Sequence, residues 1–131
     1  MVIRPITIND AIMDYDAVMT SLDRLNTLFD PRFDWPSDLT LEQNMLELAW
    51  HQVETQLQSS FTFTVLSSDE KSVLGCIYIY PTPAQDFDAE VTMWVRQSQA
   101  DTDLDAHLFE TVKNWLRDWQ IKPAYPGRDV P

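Results

Sequence analysis

The sequence is poor in glycine and cysteine, and each shortage excludes certain kinds of protein. Its 131 residues hold two glycines, Gly75 and Gly127, so no glycine-rich loop is available to cradle a phosphate. A lone cysteine, Cys76, cannot form an internal disulfide, which predicts a reducing, cytoplasmic location. No apolar run reaches the ~18 residues of a membrane span, and residues 1–10 lack the apolar core of a signal peptide.

Basic residues are also scarce, and the resulting charge limits the partners of the chain. Nine Lys and Arg face 21 Asp and Glu, which gives a formal net charge of −12. Such an acidic protein is a poor ligand for DNA, RNA or an anionic membrane, because these polymers and surfaces attract basic proteins. The apolar fraction of 44% and the length are typical of one globular domain, here residues 1–131.

The first half of the chain predicts a short strand and two helices. Residues 2–6 are partly β-branched and contain a proline, as in an edge strand. A helix follows from Asn9 or Asp10, and a loop at 30–38 contains two prolines. The apolar residues of this first helix are Ile12, Tyr15, Val18, Met19, Leu22, Leu25 and Phe29.

A capping box at residues 40–43 begins the second helix, which runs to Gln58. Its predicted apolar face consists of Leu41, Met45, Leu48, Ala49, Val53 and Leu57. Leu46 and Trp50 widen this stripe and indicate burial on more than one side.

The second half changes from helical spacing to alternation. Residues 61–66, 73–80 and 88–96 predict three neighbouring antiparallel strands, the middle one covered on both faces. A third helix is marked by Leu104, Leu108, Val112, Trp115, Leu116 and Trp119. Three prolines and Gly127 predict an irregular tail at 121–131 with at most a short strand and a type II turn.

The order of these elements predicts an α+β fold, and three segments support a family resemblance. The strands LGCIYIYP and AEVTMWV, the helix after them and the opening IRPITINDA together resemble the GNAT acetyltransferase superfamily. The resemblance covers residues 2 to about 120 and implies a mixed sheet around the antiparallel meander. It matches the N-terminal two-thirds of a typical member, which leaves a sheet edge uncovered and predicts a homodimer.

The resemblance also implies a place for acetyl-CoA, in a glycine-rich turn after the fourth strand. Carried over from Val95 and Arg96, that turn falls on residues 100–105, where Asp101, Asp103 and Asp105 replace the glycines. Carboxylates suit a helix N-terminus but oppose a pyrophosphate, at about 2–4 kcal/mol for each close like-charge pair before screening. We therefore expect that the protein requires no cofactor. Acetyl-CoA is a possible ligand only because the family resemblance implies it.

Glu90 is the candidate general base, because the superfamily often places a carboxylate in this strand. The alternative is that Glu90 is solvated or pairs with Arg96 or a neighbouring strand. The tyrosine that usually acts as general acid belongs to a helix beyond the region of resemblance, and Tyr78, Tyr80 and Tyr125 do not match its position. Two functions therefore stay open: N-acyl transfer from acyl-CoA to an amine, or a non-catalytic relative that binds a ligand or a partner protein.

Other reactive residue types give no site. Cys76 lies in the most apolar strand, where burial makes a thiol inert. His51 and His107 lack further ligands at metal spacing, so no zinc site is expected. The run from 101 to 105 begins like a calcium loop, but it lacks the glycine at position six and the glutamate at position twelve.

Overall fold

The computed structural model describes residues 1–28, 35–36 and 38–128, and its centre is a five-stranded sheet in the order β1-β2-β3-β4-β5. The strands are β1 (Val2–Pro5), β2 (Phe61–Leu66), β3 (Val73–Pro81), β4 (Ala89–Val95) and β5 (Pro123–Ala124). Neighbours are antiparallel except β4 and β5, which run parallel. The predicted meander is confirmed to within one residue at each strand end, and Ile77 and Ile79 are buried as expected.

Helices cover both faces of this sheet, which confirms the α+β class. They are α1 (Ala11–Met19), α2 (Leu22–Leu28), α3 (Leu41–Gln56) and α4 (Leu104–Asp118), with 3-10 turns at Ile8–Asp10 and Gln97–Gln99. None of the helices within the described ranges is long and apolar enough to cross a membrane. The N-terminal helices lie on one face of the sheet, and α4 lies on the other.

Each face of the sheet has its own apolar core. Val18 and Leu48 of the N-terminal helices pack with Trp94 of β4 on one face. On the other face Leu108, Val112 and Leu116 of α4 form a cluster with Ile77 and Ile79 of β3 and with the odd-numbered residues of β4. This alternation follows from the strand geometry, because successive side chains point to opposite faces. Trp119, predicted on the buried face of α4, is instead half exposed and stacks on Trp115 at 6.2 Å.

The first predicted helix is in fact two helices, α1 and α2, because the helical conformation is interrupted at Thr20 and Ser21. The Thr20 hydroxyl donates to the Asp16 carbonyl and accepts a hydrogen bond from Arg96, while Ser21 Oγ accepts from the Gln97 N–H. Arg96 and Gln97 lie 76 positions from Thr20 and Ser21, so the local spacing of apolar residues cannot reveal this interruption of the helix. The apolar repeat was also wrong at Ile12, which is 74% exposed. Phe29 and most of the predicted loop at 30–38 lie outside the described residues.

The side of helix α3 that faces the core differs from the side that the sequence predicts. The capping box is confirmed: the Thr40 side chain accepts from the Gln43 N–H, and the Gln43 side chain accepts from the Thr40 N–H. Of the predicted apolar face, however, Leu48 is the fully buried member, and Met45, Val53 and Leu57 are exposed. The physical reason is that polar residues of α3, among them Asn44, face inward and are satisfied there by hydrogen bonds.

The tail folds back onto the sheet. After β5, the Arg128 N–H donates to the Tyr125 carbonyl, and Gly127 has φ of +74°, as a type II turn requires. The Arg128 guanidinium reaches the Met93 carbonyl of β4 and the Asp105 carboxylate of α4. The predicted turn is confirmed, and the tail ties β4 to α4.

Candidate functional site

A cleft of about 380 Å³ opens between α3 and the face of the sheet formed by β3 and β4. Its lining is mostly aromatic and consists of Trp35, Glu47, Trp50, His51, Tyr78, Tyr80 and Thr92. The residues of α3 in this lining are spaced at 47, 50 and 51, one turn apart, so one helix projects them to the same side. Tyr78 and Tyr80 share the opposite wall because they are two apart on β3.

His51 links the two walls of the cleft. Its Nδ1 lies 3.2 Å from the Tyr80 hydroxyl, and its ring centroid lies 5.7 Å from that of Tyr78. Burial lowers the pKa of His51, and the Glu54 carboxylate, 3.8 Å from Nδ1, opposes this shift. Lowering the pKa favours the neutral ring, in which Nδ1 accepts the hydrogen bond from Tyr80 when Nε2 carries the proton.

Tyr78, in the wall of the cleft formed by β3, is held in position by Trp94 of β4. The Trp94 Nε1–H donates to the Tyr78 hydroxyl at 3.1 Å. Burial raises the pKa of Tyr78, and neighbouring Cys76 and Asp14 raise it further, so the hydroxyl stays protonated. Burial likewise raises the pKa of the Cys76 thiol, which is 1% exposed. Cys76 is therefore a buried apolar side chain, as expected from its strand.

Glu47 of α3 lines the cleft, and Asp14 of α1 is buried behind that helix. Burial raises the pKa of Glu47, and a hydrogen bond from the Trp35 side chain partly offsets this. Beneath it, burial raises the pKa of Asp14 to about 6, although Asn44 Nδ2 donates to its Oδ2 at 3.1 Å. The charges of Glu47 and Asp10 add to the rise at Asp14. Perturbed carboxyl groups beside a cleft are common features of functional sites.

Glu90, the candidate base, lies at the edge of this region. In register it is opposite Tyr80 on β3 and Ala124 on β5, one pleat away from Thr92. Its side chain is exposed and does not line the cleft. A base needs to reach the reacting amine directly or through water. The catalytic role of Glu90 stays a prediction.

A second cavity, of about 340 Å³, lies where β4 and β5 part. In the part of the chain that the structure describes, the two strands pair through Ala89–Pro123 and Glu90–Ala124, and the rest of β4 has a free edge there. The lining of the cavity consists of Arg24, Leu28, Thr92, Met93, Asp105, Pro126, Gly127 and Arg128. Thr92 borders both this cavity and the aromatic cleft, so the two meet at the middle of β4.

Two guanidinium groups occupy the free edge of β4. Arg128 donates to both Asp105 oxygens at 2.8 Å and to the Met93 carbonyl at 3.3 Å. Arg24 Nε donates to the Val95 carbonyl at 3.0 Å. The hydrogen bonds from Arg128 lower the pKa of Asp105. The carbonyls of Met93 and Val95, which have no strand partner on this side among the described residues, are thus already bound by arginine side chains.

The residues carried over from the acetyl-CoA turn do not form one site. Val95 is buried in β4, and Arg96 points away from the turn to donate to the Val73 carbonyl and to Asp16. Asp101 and Asp103 are exposed, whereas Asp105 is paired with Arg128. Asp103 holds the N-cap position of α4, but its side chain makes no capping hydrogen bond.

Sequence reasoning missed the residues that the fold gathers here. Glu47 and His51 are four apart on a helix, a spacing that places them side by side, but the predicted apolar face pointed elsewhere. Arg24 and Arg128 come from opposite ends of the chain to β4. Nothing in their local sequence signals that approach. Within the described residues no cluster of three or more metal-ligand side chains forms.

The structure has the GNAT fold. It is similar to a ribosomal-protein-S5-alanine acetyltransferase from Vibrio fischeri, with a TM-score of 0.73, 16% identity, and 90% of this chain and 64% of that chain covered. A putative GNAT-family acetyltransferase from Bordetella pertussis gives a TM-score of 0.70 at 13% identity, covering 94% and 71% of the two chains. A ribosomal L7/L12 alpha-N-protein acetyltransferase in complex with coenzyme A gives 0.66 at 11% identity, covering 87% and 62%.

These likenesses are of fold rather than of sequence. No protein-family model matches the chain, and none of the curated proteins matches it. The chain spans less than two thirds of the S5-alanine and L7/L12 enzymes, at 64% and 62% of their lengths. The predicted resemblance is confirmed for the fold.

The turn that the resemblance assigns to acetyl-CoA does not fit its pyrophosphate. Such a turn binds phosphate oxygens with free backbone N–H groups. Here the N–H groups of Gln99, Ala100, Thr102 and Leu104 donate within the turn, to Arg96, Gln97, Gln99 and the Thr102 hydroxyl. The exposed carboxylates of Asp101 and Asp103 add like charge at the same place. Four N–H donors of the turn are therefore already engaged.

Proposed function

We propose that this GNAT-fold chain binds a small organic cation in the aromatic cleft and does not transfer an acetyl group from acetyl-CoA. The observation that carries the proposal is the lining of the cleft. Trp35, Trp50, Tyr78 and Tyr80 line the same cleft as the carboxyl group of Glu47. A volume of about 380 Å³ is in the usual range for small-molecule sites.

The charge of the cleft favours a cation over an anion or a neutral ligand. Among the described residues, no lysine or arginine forms an ion pair with Glu47. Aromatic faces attract an ammonium group by about 0.5–2 kcal/mol each, more when water is excluded. A bound amine would pair with Glu47 and would also relieve the repulsion between Glu47 and Asp14. The net charge of −12 attracts cations from a distance.

Two features support the non-catalytic alternative over acyl transfer. The turn before α4 has four of its N–H donors engaged and carries aspartate where the family has glycine. The cavity between β4 and β5 contains the Arg128–Asp105 pair, and both guanidinium groups there are bound to β4 carbonyls. Acetyl-CoA, the acyl donor, would have to displace these contacts in order to enter the cavity.

Calorimetric titration with phenethylamine tests the proposal. We expect binding in the range of tens to hundreds of micromolar, and at least tenfold weaker binding of 2-phenylethanol, which has the same ring but no charge. Glu47→Gln should weaken phenethylamine about tenfold, or about 1.4 kcal/mol, because it removes the anion. Glu42→Gln is the matched control, since it removes a charge from the first turn of the same helix outside the cleft. Equal binding of amine and alcohol would contradict the proposal.

Acetyl-CoA should bind more weakly than about 100 µM at physiological salt, which corresponds to about 5.5 kcal/mol. Replacing Asp101, Asp103 and Asp105 by glycine should tighten this binding at least tenfold, most visibly at low salt. The change removes three charges and frees the Arg128 guanidinium from its partner. Asp86→Gly, which removes an exposed charge from another loop, should have little effect. Micromolar binding by the unaltered protein would contradict the prediction.

A further inference from the structure

The outer side of α3 carries an exposed apolar stripe. Leu46, Trp50, Val53 and Leu57, called here the outer stripe, recur at intervals of three and four residues and so lie on one line along the helix. Leu46, Trp50 and Leu57 are 65%, 67% and 73% exposed. At 1.5 Å per residue the outer stripe is about 16 Å long, or three helical turns. Scattered single apolar residues are ordinary on a surface, but a continuous row of this length indicates an interaction site.

The polar contacts of the inner side show that α3 cannot simply rotate to bury the outer stripe. Asn44 Nδ2 donates to the Ala11 carbonyl and to Asp14, and Gln52 Oε1 accepts from the Ile8 N–H. His51 is bonded to Tyr80 on β3. Turning the helix over would break all of these bonds and leave the buried side chains of Asn44 and Asp14 unsatisfied, at about 1–3 kcal/mol each. The outer stripe therefore faces outward as a fixed feature of the fold.

The charges beside the outer stripe define the chemistry of its partner. The ionisable residues of α3 other than His51 are Glu42, Glu47 and Glu54, and residues 33–70 contain no lysine or arginine. A second copy of the chain would bring two acidic helices together with no base on either. A segment with basic residues beside its apolar row complements the surface, because opposite charges then flank an apolar seam.

We propose that the outer stripe docks an amphipathic helix of about three turns with an apolar face and lysine or arginine on its flanks. The partner's apolar residues pack on Leu46, Val53 and Leu57, and its basic residues face Glu42 and Glu54. This interaction is separate from the aromatic cleft, apart from Trp50, which borders both.

The test uses a synthetic 18-residue peptide of leucine and lysine, patterned as an amphipathic helix, with a scrambled peptide of the same composition as control. Titration should give a Kd of about 10–100 µM for the patterned peptide and at least tenfold weaker binding for the scrambled one. Val53→Gln combined with Leu57→Gln should weaken the patterned peptide at least tenfold. Gln56→Ala, a change on the same exposed helix, should leave its affinity within twofold.

Three further measurements separate docking of a basic helix from unfolding of the variant and from dimerisation. The double variant should unfold in urea at the same midpoint as the unaltered protein, because both side chains are already exposed. A patterned peptide with glutamate in place of lysine should not bind. Equal binding of patterned and scrambled peptides, or no effect of the double variant, would overturn the proposal. So would light scattering that shows a dimer abolished by the double variant, since a second copy would then be the occupant.

Discussion

Replacing Gly75 by alanine is expected to destabilise the protein by about 3 kcal/mol and to lower its melting temperature by about 10 °C. A Cβ at this position would lie 2.1 Å from the Trp94 carbonyl oxygen and 3.2 Å from the Val95 Cα. Both are backbone atoms of β4, so no side chain can swing aside to make room. Gly75 sits beside the irregularity in the β2–β3 pairing at Val65 and Leu66, where strands approach closely.

The chain's other glycine provides the matched control for this prediction. Gly127 has φ of +74° and no atom within 4 Å of an added Cβ, so alanine there has a conformational cost of about 1 kcal/mol and no clash. Urea unfolding of both variants gives the comparison. A Gly75→Ala variant as stable as Gly127→Ala would show that β4 does not approach β3 as described.

Replacing Asp14 by asparagine should stabilise the protein at pH 7 by about 2–3 kcal/mol. Burial raises the pKa of Asp14 to about 6 from its ordinary value of 3.8, so the folded state disfavours the carboxylate. The stabilising effect of the protonated group is fully present below about pH 4 and is lost as the pH rises through 6. Asparagine keeps an oxygen that can accept from Asn44 and carries no charge to desolvate.

Urea unfolding at pH 4, 5.5 and 7 measures this effect. The stability difference between Asp14→Asn and the unaltered protein should grow with pH across this window, since the variant lacks the titrating group. Asp101→Asn, at an exposed position in the turn before α4, should show no such growth. A difference for Asp14→Asn that stays constant with pH would show that Asp14 does not titrate in the folded protein near pH 6.

Patterns of apolar residues predicted the sheet and α4 because burial there follows from local spacing. β3 is apolar at nearly every position, as a central strand must be, and α4 buries Leu108, Val112 and Leu116 at helical intervals. The same reasoning failed on α3, where the inward residues include Asn44 and the outward ones include Leu57. Polar groups can face a core when partners from other elements satisfy them, and those partners are invisible in one segment.

The free edge of β4 was less predictable than the fold because its charges come from distant parts of the chain. The sequence around residues 95–105 offers Arg96 as the nearest base, but Arg96 donates to Val73 of β3 and to Asp16 of α1 instead. Arg24 and Arg128 take its place at β4. Asp105, predicted to repel a phosphate, is instead half of an ion pair. The predicted homodimer stays a prediction that light scattering of the unaltered protein would test.

An acetylation assay tests the central claim most directly. The protein is incubated with acetyl-CoA and phenethylamine, and mass spectrometry follows the acetylated amine as the acetyl group moves from the thioester sulfur to nitrogen. The account predicts that acetylation proceeds no faster than without protein, although phenethylamine binds. Protein-dependent acetylation that is lost in Glu90→Gln would contradict it, and would identify Glu90 as the catalytic base of an acetyltransferase.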